Sequence, residues 1–494
     1  MLASASMTTS SSVAPVRRSG VGHRILFVTS EIADFVKVGG LGDVSAALPR
    51  ALRKHHDVRV LIPGYREVVA QAHGLRIVAS LPGVAEVPDC DLGLFHTADG
   101  LPVYVLLHKG LFERDGSPYL DASGCDWADN DLRFGRLGLA AAQIACGEGD
   151  PDWTPQVVHA NDWPAALAPA YLAWREASTP TVFTVHNLAY QGIFQRGTMG
   201  RVGMPDAAFR IDGVEFYERI SFLKAGVFYA SHVTTVSETY AREITSPGAG
   251  CGLDGLLRTR AAEGRLTGIL NGIDERWDPR TEPNLFQNFD AGDWKGKRRN
   301  AELVRRRFGL AVSRGPLFAV VSRLVEQKGI DLVVNAAADI VAAGGQLVVT
   351  GSGERHLERE VAELTGRFPG QVAARIGFDE QEAKNVFAGS DFLLMPSRFE
   401  PCGLSQMYAQ RFGSLPIAHR VGGLADSVRD GVTGLLFKRA EASSFVGALM
   451  RAFGVYGRKS RLNAMRRSAM ARPAGWQDAC GHYERVYARS IGNR

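Results

Sequence analysis

The sequence predicts an α/β protein with two large domains, each built on a sheet of mostly parallel strands. The chain has 494 residues and 45% hydrophobic content, which is too long for one ordinary core and apolar enough for two or three. A strand–loop–helix rhythm runs through the first half and restarts after a polar segment in the middle of the chain. Each half also carries a Gly-Gly-Leu turn with an aspartate two residues after the leucine.

The composition narrows the classes of partner and the compartment. The net charge of +5 is small for this length and the basic residues are spread along the chain, so we expect no nucleic-acid partner. No apolar run approaches the roughly 20 residues that span a bilayer, so we expect no membrane partner. Six cysteines lie far apart without a CxxC pair, which argues against a zinc site and a disulfide framework and predicts a cytoplasmic protein.

Residues 1–22 are rich in serine and alanine, contain Arg17 and Arg18, and lack both acidic residues and an apolar segment. This composition excludes a secretory signal more firmly than an organellar transit peptide. We predict a disordered tail.

The first half opens with a buried strand at residues 24–31, followed by the sequence KVGGLGD at residues 37–43. Paired glycines ahead of a helix form a turn whose N–H groups and helix dipole favour an anion. Lys37 adds a positive charge directly before Gly39 and Gly40. A plain tight turn is the alternative interpretation.

Three further segments of this half place polar residues where a strand ends. Asp162 follows a strand and either caps the next helix or has a functional role. His186 follows the next strand, and a lone histidine there is more often structural unless another strand end supplies a partner. Residues 268–274 are predicted to form a short strand that runs into an Asn-Gly turn, and Asn271 lies in that turn.

The second half begins after a polar connector, with a helix expected at residues 301–308. Arg323 and Lys328 flank the loop between its first strand and the next helix. Arginine binds phosphate oxygens bidentately and lysine acts as a point charge, so the pair is a candidate diphosphate clamp, with a solvated surface pair as the alternative. The next strand ends in Gly351 and Gly353, a weak nucleotide signal by itself.

The sequence SRFEPCGLSQ at residues 397–406 follows an apolar strand that ends at Pro396. Glu400 therefore lies at the carboxyl end of a strand, which is where open α/β sheets bind ligands. The alternative is an exposed acidic loop that caps its own helix. The turn GGLAD at residues 422–426 then repeats the first glycine turn, and two Rossmann-like domains facing each other would bring both turns to one cleft.

Six motifs taken together resemble the bacterial glycogen synthases and plant starch synthases, and they occur in order between about residues 24 and 487. They are KVGGLGD (37–43), HNLAYQG (186–192), NGID (271–274), SRLVEQKG (322–329), SRFEPCGLSQ (397–406) and GGLAD (422–426).

The resemblance implies a GT-B fold, with two Rossmann-like domains facing across a deep cleft and a C-terminal helix crossing back to the first domain. We assign residues 23–280 to the N-terminal acceptor domain, 281–312 to a connector, 313–470 to the nucleotide-sugar domain and 471–494 to the crossing helix. The resemblance also implies transfer of glucose from ADP-glucose to the nonreducing end of glycogen or another α-1,4-glucan, with retention of configuration. ADP-glucose is then a substrate, and neither a cofactor nor a metal is expected. The oligomeric state stays open.

The resemblance also implies roles for individual residues. Five are expected to act in catalysis, with the cations on the diphosphate, His186 on the sugar and Glu400 on the transferring glucose: Lys37, His186, Arg323, Lys328 and Glu400. Ten are expected to bind substrate: Gly39, Gly40, Asp43, Asp162, Asn271, Gly351, Gly353, Cys402, Gly403 and Leu404. The family favours same-face attack with the leaving phosphate as base.

Two positions depart from the family pattern. Val38 stands where threonine is usual, and Asn161-Asp162-Trp163-Pro164 stands where His-Asp-Trp-His is usual. A GT-B transferase with another donor or a small acceptor, and a catalytically silent glucan-binding protein, are the competing functions.

Overall fold

The structure, a computed structural model, describes residues 22–377 and 379–492. Apart from Gly22, the predicted tail lies outside the described residues. None of the helices in the described ranges has both the length and the apolar character needed to traverse a bilayer.

The first half alternates strands and helices, as the sequence predicts. Its strands are β1 (Arg24–Val28), β2 (Asp57–Pro63), β3 (Arg76–Leu81), β4 (Cys90–His96), β5 (Pro102–Leu107), β6 (Val157–Asn161), β7 (Thr181–Val185), β8 (Ile193–Phe194), β9 (Glu215–Phe216), β10 (Arg219–Ser221), β11 (His232–Thr235) and β12 (Leu266–Gly268). Its helices are α1 (Gly40–Leu52), α2 (Arg66–Gln71), α3 (Lys109–Phe112), α4 (Asn130–Ala145), α5 (Asp162–Ala165), α6 (Leu167–Trp174), α7 (Thr198–Arg201), α8 (Phe222–Tyr229), α9 (Glu238–Glu243) and α10 (Asp254–Ala262).

A nine-stranded sheet forms the centre of this half, in the order β12-β11-β7-β6-β1-β2-β5-β4-β3. Its pairs are parallel except those that β4 makes with β3 and β5. The strand order reverses between β1 and β6, so a crevice opens at the carboxyl ends of these two strands. The loops that carry Lys37 and Asp162 follow β1 and β6.

The second half has the same build. Its strands are β13 (Leu317–Val321), β14 (Gln346–Gly351), β15 (Val372–Ile376), β16 (Phe392–Met395), β17 (Leu415–His419) and β18 (Leu435–Phe437). Its helices, with the connector helix first, are α11 (Trp294–Arg307), α12 (Ile330–Ala342), α13 (Arg355–Arg367), α14 (Glu380–Gly389), α15 (Ser405–Arg411), α16 (Gly422–Ser427), α17 (Ala442–Tyr456), α18 (Lys459–Met470) and α19 (Trp476–Gly492).

The six-stranded sheet of this half is parallel throughout, in the order β15-β14-β13-β16-β17-β18. This is the doubly wound order, with its reversal between β13 and β16. The loop after β13 carries Arg323 and Lys328, and the loop after β16 carries Glu400. The two loops that the sequence singles out therefore adjoin at the switch point.

Two segments cross between the halves and lie side by side, since the Ile273 N–H donates to the Ala474 carbonyl at 2.7 Å. Beyond the second crossing, α19 packs on the first half, where Tyr483 and Tyr487 are fully buried in its core. The Tyr487 hydroxyl lies 2.8 Å from His159 Nδ1. The predicted return of the C-terminal helix is confirmed.

Some predicted bounds are wrong. The short strand predicted ahead of the Asn-Gly turn, within residues 268–274, ends earlier than predicted: it is β12, Leu266–Gly268. The connector helix begins earlier than predicted, at Trp294, because the Asp293 side chain caps it by accepting from the Lys295 N–H at 2.9 Å.

Candidate active site

Glu400 lies at the switch point of the second sheet and is only 4% exposed. Its Oε2 accepts hydrogen bonds from Lys328 Nζ at 2.5 Å and from Ser397 Oγ at 3.0 Å. The ion pair joins the loop after β13 to the loop after β16. The interpretation of Glu400 as an exposed cap is wrong. The carboxylate is buried against the loop that carries Lys328, and it makes no cap on α15 within the described chain.

Arg323 reaches across the cleft to the first domain. Its Nη1 donates to the Tyr190 hydroxyl at 3.3 Å, and the Tyr190 side chain remains half exposed. Tyr190 lies in the loop that begins with His186, so the contact joins the two faces of the cleft. The sequence analysis assigned Tyr190 no role, although Tyr190 lies four residues after His186 in the same motif.

Gly351 and Gly353 shape the site through the backbone. A Cβ on Gly351 would overlap the carbonyl oxygen of Ser322, and one on Gly353 would overlap that of Leu324. Gly351 also has φ of 153°, in the range that favours glycine. These two glycines therefore let the loop after β14 lie directly against the loop that carries Arg323.

The first glycine turn carries Lys37 toward the same cleft. Lys37 Nζ donates to Asp43 Oδ1 at 2.8 Å, and burial raises the pKa of Asp43, although Lys37 acts in the opposite direction. Gly40 faces Leu404 of the other domain, whose Cδ1 would lie 3.7 Å from an added Cβ. Val38, the departure from the family pattern, is half exposed, so its side chain points away from the core.

Glu31 occupies the N–H groups of this turn. Its Oε2 accepts from the Val38 N–H at 2.7 Å and from the Gly39 N–H at 3.0 Å, and its Oε1 accepts from the Tyr119 hydroxyl at 2.5 Å. The Glu31 side chain is 3% exposed. The anion that these two amides bind in this structure is thus a side chain of the same domain.

His186 faces the cleft from the first domain, and Asn161 orients it. Asn161 Nδ2 donates to the carbonyls of Val28 and His159, which turns its Oδ1 toward His186 Nε2 at 3.0 Å. Because burial lowers the pKa of His186 to about 3, the ring is neutral. Nε2 therefore carries the proton, and Nδ1 is left as an acceptor.

Asp162 begins α5 with φ of 58°, an unusual conformation for a residue other than glycine. Its side chain makes no helix cap in the described structure, so the capping interpretation is wrong. Burial raises the pKa of Asp162 to about 7, while the nearby N–H groups of His186 and Asn187 act in the opposite direction. Its Oδ1 is buried and finds no hydrogen-bond partner among the described residues.

Asn271 and Cys402 meet where the first interdomain crossing approaches the Glu400 loop. Burial raises the pKa of the Cys402 thiol to about 12, although the Asn271 backbone N–H lowers it somewhat. Asn271 is buried, and its Oδ1 has no partner within the described ranges. Gly403, with φ of 70°, and Leu404 follow Cys402 and are partly exposed beside Gly40.

The second glycine turn supports the Glu400 loop from behind. A Cβ on Gly422 would overlap the carbonyl oxygen of Glu400, and one on Gly423 would overlap that of Cys402. The Gly423 N–H also donates to the Glu400 carbonyl at 3.0 Å. This turn therefore packs directly against the protein backbone of the Glu400 loop.

Helix α9 of the first domain fastens this turn. Glu243 accepts from the Gly422 N–H at 3.0 Å, and Asp426 accepts from the backbone N–H of Thr239 at 2.8 Å and from its hydroxyl at 2.5 Å. Ser237 Oγ donates to the Pro401 carbonyl at 2.5 Å. The sequence analysis marked Asp426 only as part of the glycine turn and did not mark Glu243 or Thr239, because no local pattern marks a hydrogen bond between domains.

The family described as "Starch synthase catalytic domain" matches residues 24–259, and the family "Glycosyl transferases group 1" matches residues 315–454. The chain is 59% identical to the glycogen synthase of Pseudomonas putida, over 94% of this chain and 90% of that protein. It is 57% identical to glycogen synthase 1 of Bradyrhizobium diazoefficiens, over 92% and 99%. The chain belongs to the starch and glycogen synthase family. The predicted membership is confirmed.

Solved structures agree with this membership of the starch and glycogen synthase family. The catalytic domain of starch synthase IV from Arabidopsis thaliana, bound to ADP and acarbose, superposes with a TM-score of 0.86 at 32% identity, over 96% of this chain and all of that chain. Sucrose-phosphate synthase from Thermosynechococcus elongatus shares the fold, with a TM-score of 0.59 at 16% identity, over 96% of this chain and all of that one. The protein has the GT-B fold, as predicted.

In this family member, Lys328 and Glu400 pair on adjoining loops of the second domain, with Arg323 on the same loop as Lys328. Lys37 and the neutral ring of His186 lie on the loops after β1 and β7 of the first domain, and a common site for these five residues stays a prediction. Such a set stabilises negative charge that develops on a leaving group. In residues 22–377 and 379–492, no three His, Cys, Asp or Glu side chains are grouped to hold a metal ion. Independence from metal stays a prediction.

Proposed function

We propose that this protein transfers glucose from ADP-glucose to the nonreducing end of an α-1,4-glucan, with retention of configuration and without a metal. The relatives named above as glycogen synthases, at 59% and 57% identity, support the reaction. The starch synthase IV structure, which is bound to ADP and acarbose, supports an adenine nucleotide donor and a glucan acceptor.

The observation that carries the proposal is the ion pair of Lys328 with Glu400 at the switch point, 2.5 Å between Nζ and Oε2. Lys328, which we assign to the diphosphate, and Glu400, which we assign to the glucosyl unit, thus lie on adjoining loops. Breaking the bond between glucose and phosphate builds negative charge on the departing ADP, and fixed cations lower the energy of that state. Arg323 and Lys37 supply further positive charge from the two faces of the cleft.

On the sugar side, the residues act as hydrogen-bond partners. Neutral His186 offers Nδ1 as an acceptor for a glucose hydroxyl, because Nε2–H is held by Asn161. Glu400, tied to Lys328 and Ser397, supports the positive character of the transferring glucose and does not act as a lone acid or base. The leaving phosphate then serves as the base for attack from the same face.

Two buried oxygens suit substrate hydroxyls. Asp162 Oδ1 and Asn271 Oδ1 have no partner among the described residues, and a buried acceptor without a partner costs free energy. Hydroxyl groups of bound sugar would satisfy both. We therefore keep both residues in the proposed substrate site.

We place the reaction in the cytoplasm. All six cysteines are free thiols, which fits a reducing compartment.

The test is incorporation of labelled glucose into glycogen by the purified protein, with excess chelator present. ADP-glucose, UDP-glucose and GDP-glucose are compared at equal concentration, and chromatography sizes the product. We expect ADP-glucose to give the highest kcat/KM and the product to be a lengthened glucan. Incorporation that needs a metal, a preferred donor other than ADP-glucose, or a small-molecule product would each contradict the proposal.

A further inference from the structure

The carboxylate of Glu31 links three parts of the first domain at the end of β1. One oxygen binds the N–H groups of Val38 and Gly39, and the other binds the hydroxyl of Tyr119. The Tyr119 hydroxyl also lies 2.9 Å from Ser30 Oγ. With 3% of its side chain exposed, Glu31 is an internal support.

A glycine turn at a helix start normally offers its N–H groups to a ligand anion. Here the N–H groups of Val38 and Gly39 already donate to Glu31, so a diphosphate cannot bind them without displacing a buried carboxylate. Displacement would leave that charge without its partners, which is costly. These two N–H groups are therefore not available to a diphosphate, whereas Lys37 can offer its ammonium group.

The backbone and the ammonium of Lys37 are held separately. Glu31 fixes the two peptide groups directly after Lys37, whereas Asp43 binds its Nζ at 2.8 Å. Glu31 Oε2 would also lie 3.4 Å from a Cβ on Gly42, so the carboxylate fills the inside of the turn. The position of Lys37 thus depends on the reach of the Glu31 side chain.

We propose that Glu31 is a positioning residue that holds the turn of Lys37 in the geometry needed for transfer. The proposal rests on the proposed function, in which Lys37 stabilises the departing ADP. It assigns the two turn amides to an internal carboxylate and the contact with the diphosphate to Lys37.

Two substitutions of Glu31 separate the effect of side-chain length from the effect of charge. Glu31→Gln keeps the reach, since its oxygen can accept from Val38 and Gly39 while its nitrogen donates to Tyr119. Glu31→Asp keeps the charge but is one carbon–carbon bond shorter. We expect kcat/KM for ADP-glucose to stay within about fivefold of wild type in the Gln variant. In the Asp variant it should fall about 10²-fold, the loss that a misplacement of about 1 Å produces.

The opposite order, with Asp active and Gln impaired, would overturn the proposal. KM for the glucan should be unchanged in both variants, because neither substitution alters His186 or Asn161, the hydrogen-bonded pair that we assign to the sugar side.

A double-mutant cycle tests whether Glu31 acts through Lys37. We expect Lys37→Ala alone and Lys37→Ala with Glu31→Asp to have the same kcat/KM within about twofold, because contacting residues are not additive. Losses that multiply would show that Glu31 acts independently and would overturn the proposal.

If the Asp variant does not fold, hydrogen exchange at Val38 and Gly39 in the wild type and the Gln variant tests the proposal instead. Protection in both supports the proposal, and rapid exchange in the wild type overturns it.

Asp150→Asn is the matched control. Asp150 is a 2% exposed carboxylate of the same domain that binds a tyrosine hydroxyl, Tyr104, and a guanidinium, Arg59. We expect it to lower the melting temperature and to leave kcat/KM unchanged. Calorimetric affinity for ADP is measured for each variant. A wild type that binds ADP but transfers no glucose defeats the proposed function, whereas the cycle on ADP affinity still tests Glu31.

Discussion

The two glycine turns have nearly the same sequence but different surroundings. An added Cβ on Gly39 would meet nothing within 4 Å, and one on Gly40 would make only an ordinary contact. Added Cβ atoms on Gly422 and Gly423 would overlap backbone carbonyls of the Glu400 loop. The first turn faces open space in the cleft, and the second is filled by protein.

Each turn is also fastened by a glutamate, but from a different side. Glu31 belongs to the same domain as the first turn, and Glu243 reaches the second turn from the other domain. The first turn can thus carry Lys37 into the cleft as part of one rigid domain. The second turn ties the position of Glu400 to the placement of the two domains.

The same glycine motif therefore serves two different structural purposes. Glycines of the first turn leave room in front of a cation, and glycines of the second let two backbone segments approach. A motif alone does not say whether a ligand or the protein itself fills the space beside it.

Removal of a cation should lower kcat/KM more than any other change proposed. It should also show which of the two domains contributes more to stabilisation of the transition state. We expect Lys328→Ala and Lys37→Ala each to lower kcat/KM for ADP-glucose by about 10²- to 10³-fold, which is about 3 to 4 kcal/mol of transition-state stabilisation. Lys328→Ala should be the more severe, because it also leaves the buried Glu400 with Ser397 as its remaining side-chain partner in the described structure.

Steady-state kinetics with glycogen as acceptor measures both variants. Arg451→Ala serves as control, since Arg451 pairs with Asp430 on the exposed surface. Full activity in Lys37→Ala, together with a strong loss in Lys328→Ala, would mean that the first turn has no role in the reaction.

Alanine at the matched first glycines tests the difference in packing directly. Gly422 has φ of 40° and no space for a Cβ, so Gly422→Ala should destabilise the protein by about 2 to 3 kcal/mol and lower kcat by moving Glu400. Gly39 has φ of −148°, which any residue adopts, so Gly39→Ala should change stability by less than about 0.5 kcal/mol.

Thermal unfolding gives the stability change, and KM for ADP-glucose reports on the space in front of Gly39. Equal destabilisation in both variants would mean that the turns are packed alike, contrary to the structure.

The sequence predicted the chemistry at strand ends because neighbouring parallel strands end at the same edge. Lys328 and Glu400 lie 72 positions apart along the chain, yet both follow strands of the switch point and form an ion pair. The strand–loop–helix rhythm was sufficient for this inference. The return of α19 to the first domain, by contrast, was expected from the family resemblance.

Other features have no local signal. Helix α4 is buried on almost all sides, so it lacks the polar face that would reveal it in the sequence. Asn161 sets the tautomer of His186 through hydrogen bonds that include one to the carbonyl of Val28, 133 positions away in the chain. Glu31 and Glu243 are likewise single side chains whose partners depend on the tertiary fold, so no spacing rule identifies them.

Glu243→Gln should give the smallest effect on stability, and the size of that effect should depend on pH. Burial raises the pKa of Glu243, although the Gly422 N–H and the charge of Arg242 lower it. The folded protein therefore binds this proton more tightly than the unfolded chain does. The contribution of Glu243 to stability is full below the ordinary glutamate pKa of about 4.3 and is lost as the pH rises through the raised value.

Glutamine keeps an oxygen for the Gly422 N–H and has no charge to desolvate, so the variant should match the wild type near pH 4 and exceed it at pH 8. The gain should be below about 1 kcal/mol, because water still reaches the side chain. Melting temperatures between about pH 4 and pH 8 measure it. A variant less stable than wild type at pH 8 would mean that the second turn needs the carboxylate charge. If Glu243→Gln gives that result while Glu31→Gln keeps its activity, then the second turn needs a charged glutamate and the first does not. The two turns would then differ in electrostatics as well as in packing.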